Sequence, residues 1–193
     1  FTNHGIYLIT SGGNTVQGNY VGTNAAGTAV SANTVHGIFA YDIASNLIGG
    51  TTATARNVVS GNNYGIVLAG ASATGNTISG NYVGLNAAGT AALANSLGID
   101  VEGAATGNTI GGTSAAARNV IAGNTQMGVL LQGAGTSSNT VEGNYIGTNA
   151  AGSAAVPNGT YGVNIKNSAS GNTVGGTTGT AGNIISGNTS SGI

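Results

Sequence analysis

The sequence predicts an all-β chain wound as a parallel β-helix. This is a solenoid of about six coils, each of three short strands, with long and short coils alternating. Three observations predict it. The frame N-φ-φ-x-x-N, with φ apolar, occurs at residues 19–24, 57–62, 81–86, 119–124, 144–149 and 183–188. A second marker, Gly followed by Ile or Val, recurs in step with that frame. The remaining Ile, Val and Leu residues fall in phase with both. Repetition at a fixed period is the signature of a solenoid.

The marker glycines are Gly5, Gly37, Gly65, Gly98, Gly128, Gly162 and Gly192. The steps between them are alternately longer and shorter, so the super-repeat is a pair of coils. One domain is predicted over 1–193, with coils at about 5–36, 37–64, 65–97, 98–127, 128–161 and 162–191. Short coils carry extra residues such as 50–55 before the second frame, and long coils carry a loop such as 25–30 after it. Removing both insertions leaves a core unit of about 23 residues, room for three short strands and their turns.

The first strand is Gly-Ile-x-Leu, whose period of 2 suits a half-buried strand. The second is Asn-Thr-Val and the third lies in N-φ-φ. No segment holds a helical pattern. Four aliphatic columns follow, led by Ile6, Leu8, Val16 and Val21, and 23 of their 24 positions are Ile, Val or Leu. Such regularity specifies register, because a slip of one residue would turn the apolar set outward.

Three asparagine columns are predicted at the corners. They are Asn14, Asn46, Asn76, Asn108, Asn139 and Asn172; Asn19, Asn57, Asn81, Asn119, Asn144 and Asn183; and Asn24, Asn62, Asn86, Asn124, Asn149 and Asn188. Asn tolerates left-handed turn conformations. Stacked at about 4.8 Å, each amide can donate to the next and form a ladder. Asp in the same columns would repel itself.

Composition excludes several classes. Only 4% of residues are charged and the net charge is −1 with three basic residues, so no nucleic-acid surface is expected. There is no run of 18 apolar residues, so no membrane insertion is expected. Cys is absent, which removes disulfides and Cys-based metal sites. The chain shows neither an initiating Met nor a signal peptide, and the expectation is a processed product or a segment of a longer chain. Low charge with abundant Gly, Ser, Thr and Asn fits an extracellular or surface-displayed protein.

The text Asn108-Thr109-Ile110-Gly111-Gly112-Thr113 followed by Arg118-Asn119-Val120-Ile121-Ala122-Gly123-Asn124 carries a resemblance. It resembles the right-handed parallel β-helix superfamily, with its pectate-lyase-like fold, and most of all secreted bacterial repeat proteins of the NTIGGT and GNYIGT type. The resemblance spans essentially the whole chain and implies the fold. The superfamily includes polysaccharide lyases and hydrolases, adhesins and scaffolds, so function must come from the site. Repeats of this type often carry Asp where Asn24, Asn86 and Asn149 stand. The lyases use acidic calcium ligands and a basic residue near the first sheet; the hydrolases use clustered Asp.

The candidates for chemistry are few. Asp100 and Glu102 lie two apart on the outward face of the first strand, about 6.5–7 Å from each other, at the edge of the inverting-glycosidase range. The ordinary state of such a pair is solvated. Lys166 takes the Glu102 position two coils further on, about 10 Å away at the spacing of stacked strands. Tyr7, Phe39 and Tyr41 share the outward face with the acid pair. Together Tyr7, Phe39, Tyr41, Asp100 and Glu102 form a candidate surface for glycan or lateral protein contact.

His4 and His36 come within about 5 Å, close enough to share a metal, but Tyr64, Leu97 and Met127 hold the same place elsewhere, as variable turn residues would. No metal or cofactor site is assigned. Arg56 and Arg118 are expected to cap loop carbonyls. Tyr20, Tyr82 and Tyr145 are expected to lie under insertion loops. Thr15, Thr77, Thr109, Thr140 and Thr173 form one column interrupted by Leu47, without a second beside it.

The expected function is structural or adhesive and non-enzymatic. The expected partners are copies stacked head to tail, flanking repeats, or glycans. The alternative is a carbohydrate-binding or lyase- or hydrolase-like β-helix using the outward face of the first sheet.

Overall fold

The computed structural model describes residues 3–193 and contains three parallel sheets of six strands each, stacked as a β-solenoid. Each sheet takes one strand from every rung, in chain order. The first sheet runs through Ile6–Leu8, His36–Tyr41, Tyr64–Ala69, Leu97–Glu102, Val129–Gln132 and Val163–Lys166. The second begins at Thr15–Val16 and the third at Tyr20–Val21. The stack makes about five turns, slightly fewer than the six coils expected, because six rungs are joined by only five steps. One turn of 3-10 helix, Ala115–Ala117, is the only helix among the described residues, and no helix is long and apolar enough to cross a membrane.

All four aliphatic columns stack in register. Ile38 pairs with Ile66, Ile48 with Ile78, Val59 with Val83, and Val101 with Leu131. These walls meet in one core whose middle rungs are fully buried, Ile66, Leu68, Ile78, Ile99, Ile110 and Ile121 among them. β-branched side chains suit such a wall because each packs on its copy in the next rung. At the last rung the packing opens, and Ile165 is 37% exposed.

A second apolar layer lies outside the third sheet. Tyr82, Val58, Leu85 and Val120 pack there with Ala87, Tyr145 and Ala150. The long-coil loops cover it and bond to one another, Ala87 N donating to Gly27 O at 2.9 Å and Ala150 N to Gly89 O at 2.8 Å. Each loop thus bridges the short coil between them, which is why long and short coils alternate. Loop cover of Tyr82 and Tyr145 matches the expectation, while Tyr20 stays 47% exposed.

The asparagines explain the corners. The backbone N and Nδ2 of Asn76 both donate to Asn108 Oδ1, at 2.9 and 2.8 Å. Asn108 repeats this toward Asn139 and gives its second amide hydrogen to Ala73 O at 2.8 Å. The column from Asn14 to Asn172 is bonded throughout in this way, as is the column from Asn19 to Asn183. Only a short side chain with one acceptor and two donors fills this role.

The third column is a correction. Asn24, Asn86 and Asn149 are not in the ladder. Each folds back on its own insertion loop, Asn24 Oδ1 accepting from Thr28 N at 2.9 Å, with equivalent bonds at Asn86–Thr90 and Asn149–Ser153. Asn33, Asn95 and Asn158 take their ladder positions, bonded to Asn62, Asn124 and Asn188. The loop intervenes between the frame and the corner, so the last Asn of the frame never reaches the corner in long coils.

The marker glycine has its cause in the same corner. A Cβ on Gly98 would come within 2.9 Å of Asn124 Nδ2 and 3.0 Å of Ile121 Cγ2, so the amide and the wall leave no room for a side chain.

Asn119 is fully buried, while Asn24 is exposed and uses chiefly its acceptor oxygen. We expect Asn119→Asp to lose on the order of 3 kcal/mol by removing two amide donors and burying charge. Asn24→Asp should stay within about 0.5 kcal/mol. Denaturant titration of both variants checks the contrast.

Candidate functional site

The outward face of the first sheet gathers the residues with chemical potential, in two patches. In the first three rungs it carries aromatic rings. Tyr7 and Phe39 stack at 5.2 Å with their planes 6° apart, following the strand spacing, and Tyr41 lies 5.7 Å from Phe39. The rings spend much of their faces on one another, so the exposed Tyr7 and Tyr41 offer a ligand less open face than isolated rings would.

His4 and His36 join this patch with their Nδ1 atoms 2.9 Å apart. His36 opens the strand His36–Tyr41 while His4 precedes Ile6–Leu8, and Phe39 packs 4.5 Å from the His36 ring. Burial, followed by the neighbouring His4, holds its pKa down at about 4.

The second patch occupies the last three rungs. Here the structure corrects the picture of a solvated acid pair. Glu102 is half-buried, but Asp100 is only 1% exposed, between Val67 and Leu130 in register on either side. Hydrophobic neighbours cover it because the outward columns of the inner rungs are themselves apolar. Gln132 Nε2 donates to Asp100 Oδ2 at 3.0 Å and to Glu102 Oε2 at 3.1 Å, tying the two carboxyls together. Asp100 Oδ1 is buried without a hydrogen-bond partner. Burial, and then Glu102, push the Asp100 pKa up to about 7, against the opposing pull of Gln132 and Lys166.

A carboxyl that keeps its proton near neutrality has the chemistry of a general acid. Asp100 nevertheless cannot touch a substrate in this arrangement, since almost none of its surface is open. No group of three or more His, Cys, Asp or Glu that could hold a metal ion occurs among the described residues.

Sequence reasoning placed Asp100 and Glu102 together correctly but missed Gln132, their shared donor. Its signal was available, since Gln132 follows Glu102 in one outward column with Lys166 next. The arginines behave as expected. Arg56 Nε donates to Gly80 O and Arg118 Nε to Gly143 O, each at 3.2 Å, while their guanidinium groups lie 4.0 and 3.9 Å from the centres of the Tyr82 and Tyr145 rings. An open groove over the second sheet is lined by Gln17, Leu47, Thr51, Thr52, Thr54, Thr77 and Ser79, and no acid or base lines it. The threonine column stacks in register as predicted, Thr77 with Thr109 and Thr109 with Thr140, and Leu47 interrupts it.

Compared with known proteins, the chain matches no family model, no curated protein and no solved structure.

The Asp100 environment sets a pH dependence. The folded carboxyl titrates at about 7 against 3.8 when unperturbed. Between those values the native state keeps a proton that the unfolded chain has released. The Asp100 contribution to stability therefore falls as pH rises from about 4 to about 7 and is level above. Asp100→Asn should remove this component and raise stability at pH 8 by on the order of 3 kcal/mol. Denaturant titration across pH checks it, and a variant less stable than the parent at pH 8 would contradict the burial argument.

Proposed function

We propose that this chain is a structural or adhesive extracellular β-solenoid. On this reading it is a scaffold of the right-handed parallel β-helix superfamily, of the NTIGGT and GNYIGT repeat type. One observation carries the proposal. The asparagines that recur from rung to rung are committed to the corners or to the insertion loops, as the bonds of Asn108 and Asn24 exemplify, and the threonine column lies beside a groove that no acid or base lines. What is left for chemistry is a carboxyl pair whose Asp100 is closed, and a self-stacked aromatic patch. Low charge and the absence of Cys agree with a surface-displayed role.

The scaffold reading includes extension by like rungs, through end-to-end stacking of copies or membership of a larger surface repeat protein. The support is chemical. Every ladder Oδ1 accepts from the preceding rung, and the N–H groups paired with the next Oδ1 donate to the following one, so rungs add in one polarity only. Ser191 and Gly192 already accept from Gly162 N and Val163 N, and they hold the phase that His4 and Gly5 hold at the first rung. A stacked copy must therefore displace one of these two segments. Electron microscopy of the purified chain should show rods one solenoid wide. Dispersed particles at high concentration would remove the stacking part of the proposal.

The second reading, a carbohydrate-binding or lyase- or hydrolase-like β-helix, rests on the raised Asp100 pKa on the same sheet face as exposed Tyr41 and Tyr7. A glycan-array screen and turnover assays on the parent chain and an Asp100→Ala, Glu102→Ala double variant separate the two. The scaffold proposal expects no turnover, and a chain showing neither binding nor turnover would remove the second reading. Turnover lost in the double variant would overturn the scaffold proposal.

A further inference from the structure

His4 and His36 are assigned no role by the scaffold reading, and their geometry is specific. They stand at the same place on adjacent rungs, just before Gly5 and Gly37, with both side chains half-buried. Their ring planes are 4° apart and their centroids 4.8 Å apart, yet the Nδ1 atoms approach to 2.9 Å. The rings are therefore offset rather than face to face. In this contact one ring's N–H points at the other ring's lone pair, so a single proton is shared between two lone-pair positions.

The separation suits one shared ion. Two nitrogens about 2.05 Å from one ion stand about 2.9 Å apart when they meet it at a right angle, and about 3.3 Å apart at a tetrahedral angle. The observed 2.9 Å is the length of an N–H···N hydrogen bond, and a small rotation of the two rings turns both lone pairs onto one ion at either separation. For imidazole ligands the divalent series places Cu(II) first, ahead of Ni(II) and Zn(II).

The surroundings hold the pair in place. Phe39 packs 4.5 Å from His36, Tyr7 lies 5.0 Å from His4, and Tyr64 meets His36 edge-on at 5.3 Å. No third His, Cys, Asp or Glu joins the pair among the described residues, which leaves the remaining positions to water.

We propose that His4 and His36 form a two-histidine site for a divalent ion, Cu(II) ahead of Ni(II) and Zn(II), on the outward face of the first sheet. The ion takes the two Nδ1 lone pairs in place of the shared proton. The site does not involve Asp100 or Glu102, and it persists wherever rung addition leaves His4 in place.

Calorimetric titration of the 193-residue chain with CuCl2, NiCl2 and ZnCl2 tests it, together with electron paramagnetic resonance of the copper form. The expected result is one Cu(II) per chain, two imidazole nitrogens in the hyperfine pattern, and weaker binding of Ni(II) and Zn(II). His4→Gln and His36→Gln should each weaken Cu(II) binding by at least about tenfold. Circular dichroism confirms that each variant remains folded, and the nitrogen count on the parent chain needs no variant. A single coordinated nitrogen, unchanged affinity in a folded His36→Gln, or Zn(II) bound as tightly as Cu(II) would overturn the proposal.

Discussion

A short amide that accepts from one rung and donates to the next holds each of the three corners of this solenoid. Sheet hydrogen bonds and the aliphatic columns align the strands, but they leave the turns between strands to be fixed. The ladder supplies what the strands lack. Asn119 Oδ1 accepts twice from Asn81, and its Nδ2 reaches both Asn144 Oδ1 and Ile78 O, which lies one rung back. That last bond anchors the corner to the wall of another rung, so backbone polar groups at the turn are satisfied without water. The marker glycine, the aliphatic columns and the near absence of charge all follow from packing around neutral amides.

The fold was legible because its cause is periodic. Columns such as Ile66–Ile99–Val129 could be read by counting, and the pairing follows them. The third ladder was misread for an equally physical reason. The frame places Asn24 and Asn62 at equivalent positions in sequence, but the long-coil loop separates Asn24 from the corner. Counting back three or four positions from the next marker glycine finds the ladder residue in every coil. Asn33, Asn95 and Asn158 then fall into line with Asn62, Asn124 and Asn188. The Oδ1 of Asn24 meets two backbone N–H groups of its own loop, a task a carboxylate performs as well.

The outward face was only half legible. Alternation along the strand shows which side chains leave the core, but it does not show what covers them. Asp100 points outward and is nevertheless buried, because Val67 and Leu130 occupy the same column on adjacent rungs. Burial there comes from neighbours on other rungs, distant along the chain, and it turns an apparently solvated pair into a carboxyl that holds its proton. The same cross-rung proximity brings His4 to His36. Lateral chemistry on a solenoid is thus written down columns, and pairs close in space are a full coil apart in sequence.

If the ladder is what holds the rungs, protection of its amides should exceed that of every other polar group of the turns. Native-state hydrogen exchange followed residue by residue tests this most directly. The backbone N–H groups of Asn76, Asn108, Asn81 and Asn119 should exchange only with global unfolding, and those of the loop residues Thr28 and Thr90 orders of magnitude faster. Ladder amides that exchange as quickly as the loop amides would contradict the account.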